Sequence, residues 1–188
     1  LAPVAAKVGA IVIDNSSAWR SDPDVPLVVS EVNPPHRSEL KKGIIANPNC
    51  TTMIAMPVLA PLHREFELQQ LVISTQQAVS GAGQSGIDEL SNQLVAFDSS
   101  NTNKSVFPEP IAFNVIPWRG DKCGDQTSEE LKFKQETQKI LGIRGLRASV
   151  TCTSVPVITG HSISIEARFR KSVTTDEAWE TLSYARGV

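Results

Sequence analysis

The chain has 188 residues, 40% of them hydrophobic and 20% charged, with a formal net charge of −2. That balance describes a soluble globular protein holding one sizeable domain or parts of two, and it excludes a disordered chain. There is no basic stripe for nucleic acid and no apolar run near the roughly 18 residues that span a bilayer, so a small-molecule partner is the default.

Cys50, Cys123 and Cys152 are odd in number, far apart and without a histidine at metal-ligand spacing. They predict a reduced, intracellular protein with no metal site. The chain opens on Leu1 with no signal-peptide pattern, and its start reads as truncated.

Val8 to Ile13 is a short apolar run ending in Asp14-Asn15-Ser16-Ser17, which predicts a buried parallel strand delivering a polar loop at its carboxyl end. In open α/β sheets ligands sit at that edge. Arg20 in the following turn-rich stretch is either an anion-binding fork or a solvated loop arginine. Leu27 to Val32 predicts another strand before Asn33-Pro34-Pro35.

Ile44-Ile45-Ala46 then runs into Asn47-Pro48-Asn49-Cys50-Thr51-Thr52, with helical spacing through Met53, Ile54, Met56 and Val58. Cys50 therefore stands where a strand gives way to a helix, and the helix dipole and free N–H groups there favour a thiolate. The turn by itself fits a buried small hydrophobe as well as a nucleophile. A kink at Pro57 and a stop near Pro61 are predicted.

Leu71 to Thr75 reads as a strand leading into Gln76-Gln77-Ala78-Val79-Ser80-Gly81-Ala82-Gly83, whose glycines allow close backbone approach to a flat or phosphorylated ligand. Ile87, Leu90 and Leu94 follow as a core-facing helical stripe. Asp98 to Asn103 is polar and loop-like, and Ala112 to Pro117 predicts an edge strand limited by its prolines. The stretch from Arg119 to Gln126 reads as a loop.

Thr127 and Glu130 form a capping box opening a helix to Leu141, with a thin apolar face of Leu131, Ile140 and Leu141. Glu129 and Lys132 share a face of that helix, as a surface pair or as site lining. Leu146 to Val157 and the alternation through Ile163, Ile165, Ala167 and Phe169 describe an antiparallel sheet with one wet face. His161 stands after Gly160 at the second strand's start, a structural residue or the best proton-transfer candidate. Thr174 with Glu177 opens a last helix through Trp179. No G-x-G-x-x-G follows an early strand, so any dinucleotide-phosphate loop is expected outside this sequence.

The motifs Asp14 to Arg20, Asn47 to Thr52, Gln77 to Gly83, Ala112 to Pro117 and Val155-Pro156-Val157 with Gly160-His161-Ser162 resemble, in order, those of aspartate-semialdehyde dehydrogenases, most closely the bacterial, actinobacterial form. The resemblance implies α/β plus α+β architecture. Residues 1–49 would be the end of a Rossmann-like NADP-binding domain, and residues 50–188 a mixed or antiparallel-sheet catalytic and dimerisation domain. Both would be incomplete, as in an internal fragment.

The implied reaction is reversible: 4-aspartyl phosphate is reduced to aspartate 4-semialdehyde through a cysteine thioacyl intermediate, in lysine, threonine and methionine biosynthesis. Carried over by motif, Cys50 is the nucleophile, His161 the acid/base and Gln77 the substrate-orienting residue. Arg20, Asn49 and Lys132 bind phosphate, Glu129 meets the substrate ammonium, and Ser80 and Gly81 lie against the nicotinamide half of NADP. A cytoplasmic homodimer or homotetramer is implied, with no nucleic acid, membrane or metal. The alternatives are a non-catalytic dimerisation module, an inactive fragment, or another acyl-phosphate reductase.

Two positions depart from the family pattern. Ser154 stands seven residues before His161, where the pattern has a carboxylate-binding arginine, and Gln76 replaces a tyrosine.

Overall fold

A computed structural model describes residues 1–95 and 106–188; the predicted loop from Asp98 to Asn103 lies outside the described residues. The elements in order are α1 (Ala2–Lys7), β1 (Val12–Asp14), β2 (Ile44–Ala46), α2 (Cys50–Phe66), β3 (Leu68–Gln77), α3 (Gln84–Val95), β4 (Lys122–Cys123), β5 (Gln126–Thr127), α4 (Ser128–Leu141), β6 (Arg147–Ser154), β7 (His161–Phe169) and α5 (Thr175–Ser183). Parallel and antiparallel pairings both occur, in keeping with the predicted mixed class. No helix among the described residues is long and apolar enough to cross a membrane. The chain packs as two compact units, Leu1–Leu71 with Lys132–Ala148 and Ala167–Val188, and Val72–Leu131 with Ser149–Glu166.

In the first unit β1 and β2 pair in parallel, Val12 opposite Ile44 and Asp14 opposite Ala46. Their carboxyl ends lie side by side, so the loop after Asp14 and the turn after Ala46 emerge together. Asn47 joins them, its N–H donating to Asp14 O at 2.8 Å and its amide to Asn15 Oδ1 at 2.7 Å.

The predicted burial of the first strand is corrected: Val8, Ile11 and Ile13 are exposed, Ile13 to 75%. A short ribbon covers one face, and there the covered places belong to Ile44 and Ala46. Leu27 to Val32 is also not a strand, since only Leu27 makes a bridge, to Ala46. The Asn33 side chain accepts from Val29 N at 2.9 Å and donates to Leu27 O at 2.8 Å, giving those groups a local partner in place of a ladder.

Helix α2 runs on to Phe66 through both prolines, against the predicted stop near Pro61. An interior proline costs about 3 kcal/mol, whereas each fully buried large apolar side chain contributes roughly 1.5–3 kcal/mol. Ala55, Met56, Leu59, Ala60 and Leu62 form an unbroken buried face that carries the helix across the lost donors. Helix α5 packs on α2 and starts at the predicted capping box of Thr174 and Glu177.

Strand order in the main sheet is β6-β3-β7, so β3 separates the two strands expected to pair. Strands β3 and β7 are antiparallel: Ala78 N donates to Gly160 O at one end and Arg170 N to Glu67 O at the other. Strand β6 runs alongside β3 in the same direction, with Cys152 bonded to Thr75 and Val155 N donating to Gln77 O. The 155–160 segment wraps the end of β3, where Val79 N donates to Val157 O at 2.9 Å and Ser80 N to Ile158 O at 3.1 Å. Two adjacent runs of β pattern thus form a crossover around a third strand.

Val79, Leu90, Phe107, Ile111 and Ile116 form the second unit's core. Leu90 is buried and Ile87 half-buried, but Leu94 is 45% exposed, because polar Glu89 and Gln93 share the inward face instead. Gln93 Oε1 accepts from Ile111 N at 2.8 Å and Ala112 N at 2.9 Å, and Glu89 Oε2 from Val106 N at 2.7 Å. These bonds pin the 106–112 segment. Ala112 to Pro117 is consequently a turn and not the predicted strand; its one bridge joins Ile116 to Ser154. The predicted loop after Arg119 holds a two-residue hairpin, β4–β5, with Gly124 at φ +65° as its first turn residue.

Candidate active site

Asn49 is the N-cap of α2, its Oδ1 accepting from Thr51 N at 3.0 Å and Thr51 Oγ1 at 2.6 Å. That bond satisfies one of the helix's free donors and fixes Cys50 as the first helical residue. The Cys50 thiol is exposed, outside any disulfide, and donates to the same Oδ1 at 3.8 Å. An exposed sulfur at a capped helix start has both access and a field that favours negative charge.

Arg20 is no loose loop side chain. Its Nε donates to Ser16 O at 3.1 Å, Nη2 to Asn15 O at 2.9 Å and Nη1 to Glu136 Oε1 at 3.1 Å. The second Glu136 oxygen accepts from Asn49 N at 2.7 Å. One buried carboxylate therefore ties the loop after β1 to the turn before Cys50. Lys139 adds a second tie: its Nζ donates to Arg20 O, Asp22 O and Val25 O at 2.9, 2.7 and 2.9 Å. Burial of this ammonium lowers its pKa. Lys132 is half-buried one turn before Glu136 on α4.

Along β3, Leu71 begins a period of two that continues into the second unit through Ile73, Thr75 and Gln77 on one buried face. Gln77 is fully buried at its end; its amide donates to Thr75 Oγ1 at 3.1 Å, and its Oε1 has no hydrogen-bond partner among the described residues. A buried oxygen so placed is a ready acceptor for a bound group. His161 stands where the wrapping segment enters β7. Its Nδ1 is 3.1 Å from Ala78 N and 2.9 Å from Gly160 O, so the ring finds a donor or an acceptor there in either tautomer.

Ser80 is half-buried and Gly81 exposed in the 3-10 turn Val79–Ala82. Arg119 Nη2 and His161 Nε2 both pack beside Gly81, where a Cβ would displace the end of the Arg119 side chain and stand 3.2 Å from His161 Nε2. Arg119 Nη1 donates to Ser154 Oγ at 3.2 Å, and its Cζ lies 6.0 Å from the Phe107 ring centroid. Gly120, at φ +81°, lets the chain pass the start of α4, 3.3 Å from Glu129 Cγ to where a Cβ would stand. Helix α4 opens at the predicted box, Thr127 N donating to Glu130 Oε2 at 2.8 Å. Its buried face is Phe133, Glu136, Thr137 and Ile140, which keeps the predicted Ile140 but replaces Leu131 and Leu141.

Of the sequence-predicted residues, the first unit holds Arg20, Asn49, Cys50 and Lys132, with Glu136 joining Arg20 to Asn49, and the second holds Gln77, Ser80, Gly81, Glu129 and His161, with His161 beside Gly81. Two residues were missed in the sequence. Glu136 falls at i+3 from Phe133 and i−4 from Ile140, a charge at core spacing, and that was its signal. Arg119 had a fainter one, a cation between Trp118 and Gly120. Of the remaining thiols, Cys152 is buried and its pKa is pushed up to about 11, by burial first, which removes it as a neutral-pH nucleophile.

Residues 59–188 match the family model described as semialdehyde dehydrogenase, dimerisation domain, and residues 1–40 the one described as semialdehyde dehydrogenase, NAD binding domain. Curated relatives include aspartate-semialdehyde dehydrogenases of Streptomyces akiyoshiensis, 51% identical, and Corynebacterium glutamicum, 48% identical; all of this chain aligns with 60% and 59% of their lengths. The chain therefore spans under two thirds of the relatives it matches. Among solved structures, aspartate semialdehyde dehydrogenase II from Vibrio cholerae, complexed with ASA, has a TM-score of 0.94 at 37% identity, covering 99% of this chain and 56% of that one. The Candida albicans enzyme with NADP has a TM-score of 0.66 at 27% identity, covering 96% of this chain and 52% of that one.

Proposed function

This chain belongs to the semialdehyde dehydrogenase family, and on that premise we propose that the protein carrying it reduces 4-aspartyl phosphate reversibly to aspartate 4-semialdehyde, with NADP as cofactor. The observation that carries the reading is the exposed Cys50 thiol at the Asn49-capped start of α2. The Cys50 thiolate attacks the acyl-phosphate carbon; the carbon–oxygen bond to phosphate breaks and a thioacyl enzyme forms. Arg20, Lys132 and the Asn49 turn receive the departing phosphate. Glu136 fixes the Arg20 fork while leaving further N–H groups for that anion.

His161 takes the thiol proton on Nε2 while Nδ1–H donates to Gly160 O; once the thioacyl carbon has been reduced, its carbon–sulfur bond breaks, the aldehyde leaves and His161 returns the proton to the Cys50 sulfur. Gln77 Oε1 and Glu129 orient the substrate's polar end. Ser80 and Gly81, in the 3-10 turn Val79–Ala82, would hold the nicotinamide half of the cofactor, which supplies hydride when bound. In this reading residues 1–49 close a nucleotide-binding domain and residues 50–188 form the catalytic and dimerisation domain of a cytoplasmic homodimer. Three thiols free of disulfides favour a reducing compartment.

The test is phosphate-dependent NADPH formation from aspartate 4-semialdehyde by the intact polypeptide that contains this sequence, against Cys50→Ala and His161→Gln. Cys50→Ala should abolish turnover, and His161→Gln should lower kcat by roughly 10²–10⁴-fold. Retained turnover in Cys50→Ala would sink the reading. The rival, a non-catalytic dimerisation module, draws on Ser154 and on the dimerisation-domain match, and requires an inert wild type.

A further inference from the structure

We propose that Arg119 binds the substrate's α-carboxylate, an assignment that rests on the function proposed above. An α-amino-acid aldehyde carries a carboxylate and an ammonium on one carbon, so its site needs a fixed cation close to a fixed anion. Among the described residues of the second unit the cations are Arg119 and Lys122. Lys122 is exposed in the β4–β5 hairpin; Arg119 is half-buried beside the proposed acid/base.

Several contacts fix its guanidinium. Nη1 donates to Ser154 Oγ at 3.2 Å, the Phe107 ring lies 6.0 Å from Cζ, and Nη2 flanks Gly81 on the side where His161 Nε2 lies. The pairing of Ile116 with Ser154, at 3.0 and 2.8 Å, holds the 116–119 loop against the end of β6. Gly120 then brings the chain to Glu129, the proposed ammonium partner. A cation, a carboxylate and an imidazole thus stand around one stretch of backbone in a single unit.

Position 154 gives the arrangement its meaning. Serine there carries no charge, and its fully buried hydroxyl is the acceptor that orients Arg119. The fork reaches the site from the loop after Pro117, and β6 supplies only its anchor.

The experiment compares aspartate 4-semialdehyde with 3-aminopropanal, the aldehyde lacking the carboxylate, in the intact polypeptide. The wild type should prefer the carboxylate-bearing aldehyde. In Arg119→Leu the ratio of the two kcat/KM values should fall by roughly 10- to 100-fold, in Arg119→Lys by less, and Ser154→Arg added to Arg119→Leu should restore part of it. An Arg119→Leu enzyme that keeps the wild-type ratio, or loses both aldehydes in proportion, overturns the assignment. A wild type that turns over neither aldehyde overturns the proposed function, and this assignment with it.

Discussion

A single carboxylate decides the geometry next to Cys50. Glu136 is buried, and its two oxygens serve two chain segments, the Arg20 guanidinium and the Asn49 N–H. Removing one partner of a buried ion pair leaves the other charge uncompensated, which is the costly case. Glu136→Gln keeps an acceptor for Asn49 but leaves the Arg20 charge with carbonyl partners only, so it should destabilise the protein by roughly 3–5 kcal/mol. Urea unfolding measures this, and a loss within about 0.5 kcal/mol would mean that Arg20 is solvated instead. Charge is unevenly legible at this scale. Cys50 and His161 could be singled out because each adjoins a turn or a strand end, whereas Glu136 hid inside a helical stripe and Arg119 inside a loop.

Among the elements, α2 and α3 show packing overriding propensity. Helix α2 crosses Pro57 and Pro61 because its buried face is continuous. Helix α3 carries Gly86, where propensity favours alanine by about 1 kcal/mol. A Cβ at Gly86 would run into Val79 O and stand 3.0 Å from Ala82 Cβ, against backbone that cannot swing aside. Gly86→Ala should therefore destabilise the protein in spite of the propensity gain, by about 1–3 kcal/mol as is typical of overpacking, and lower its melting temperature. A raised melting temperature would show that the 3-10 turn Val79–Ala82 yields freely. The β6–β3–β7 order belongs here as well. Alternation gave β7, and the β pattern of 146–157 overran β6 by three residues, because the wrap of residues 155–160 around the end of β3 is made by backbone bonds whose partners no pattern names.

At the scale of the whole molecule, one buried thiol links stability to alkaline pH. Cys152 has its thiol pKa raised from 9.0 to about 11, by burial first, with Glu130 and Glu129 adding to the effect and Thr75 opposing it. The thiol is neutral in both folded and unfolded chains below pH 9, so its contribution is intact there. As pH rises from 9 toward 11 only the unfolded chain ionises, and stability falls. Denaturation at pH 8 and pH 11 should show the wild type losing up to about 3 kcal/mol more than Cys152→Ala; equal losses would mean that water reaches this thiol.

Sequence by itself determined the mixed α/β class, both capping boxes, strand β3 and the turn that presents Cys50. These are local: a cap, a period of two or a proline turn is satisfied within a few residues, so it can be read without knowing the neighbours. Only the tertiary structure decided that Glu136 joins Arg20 to Asn49, that β3 lies between β6 and β7, and that Arg119 rests on Ser154 beside His161. Buried charges and crossovers are settled by partners distant in the chain, and hydrogen-bond satisfaction in a low-dielectric interior, which selects those partners, leaves no periodic trace.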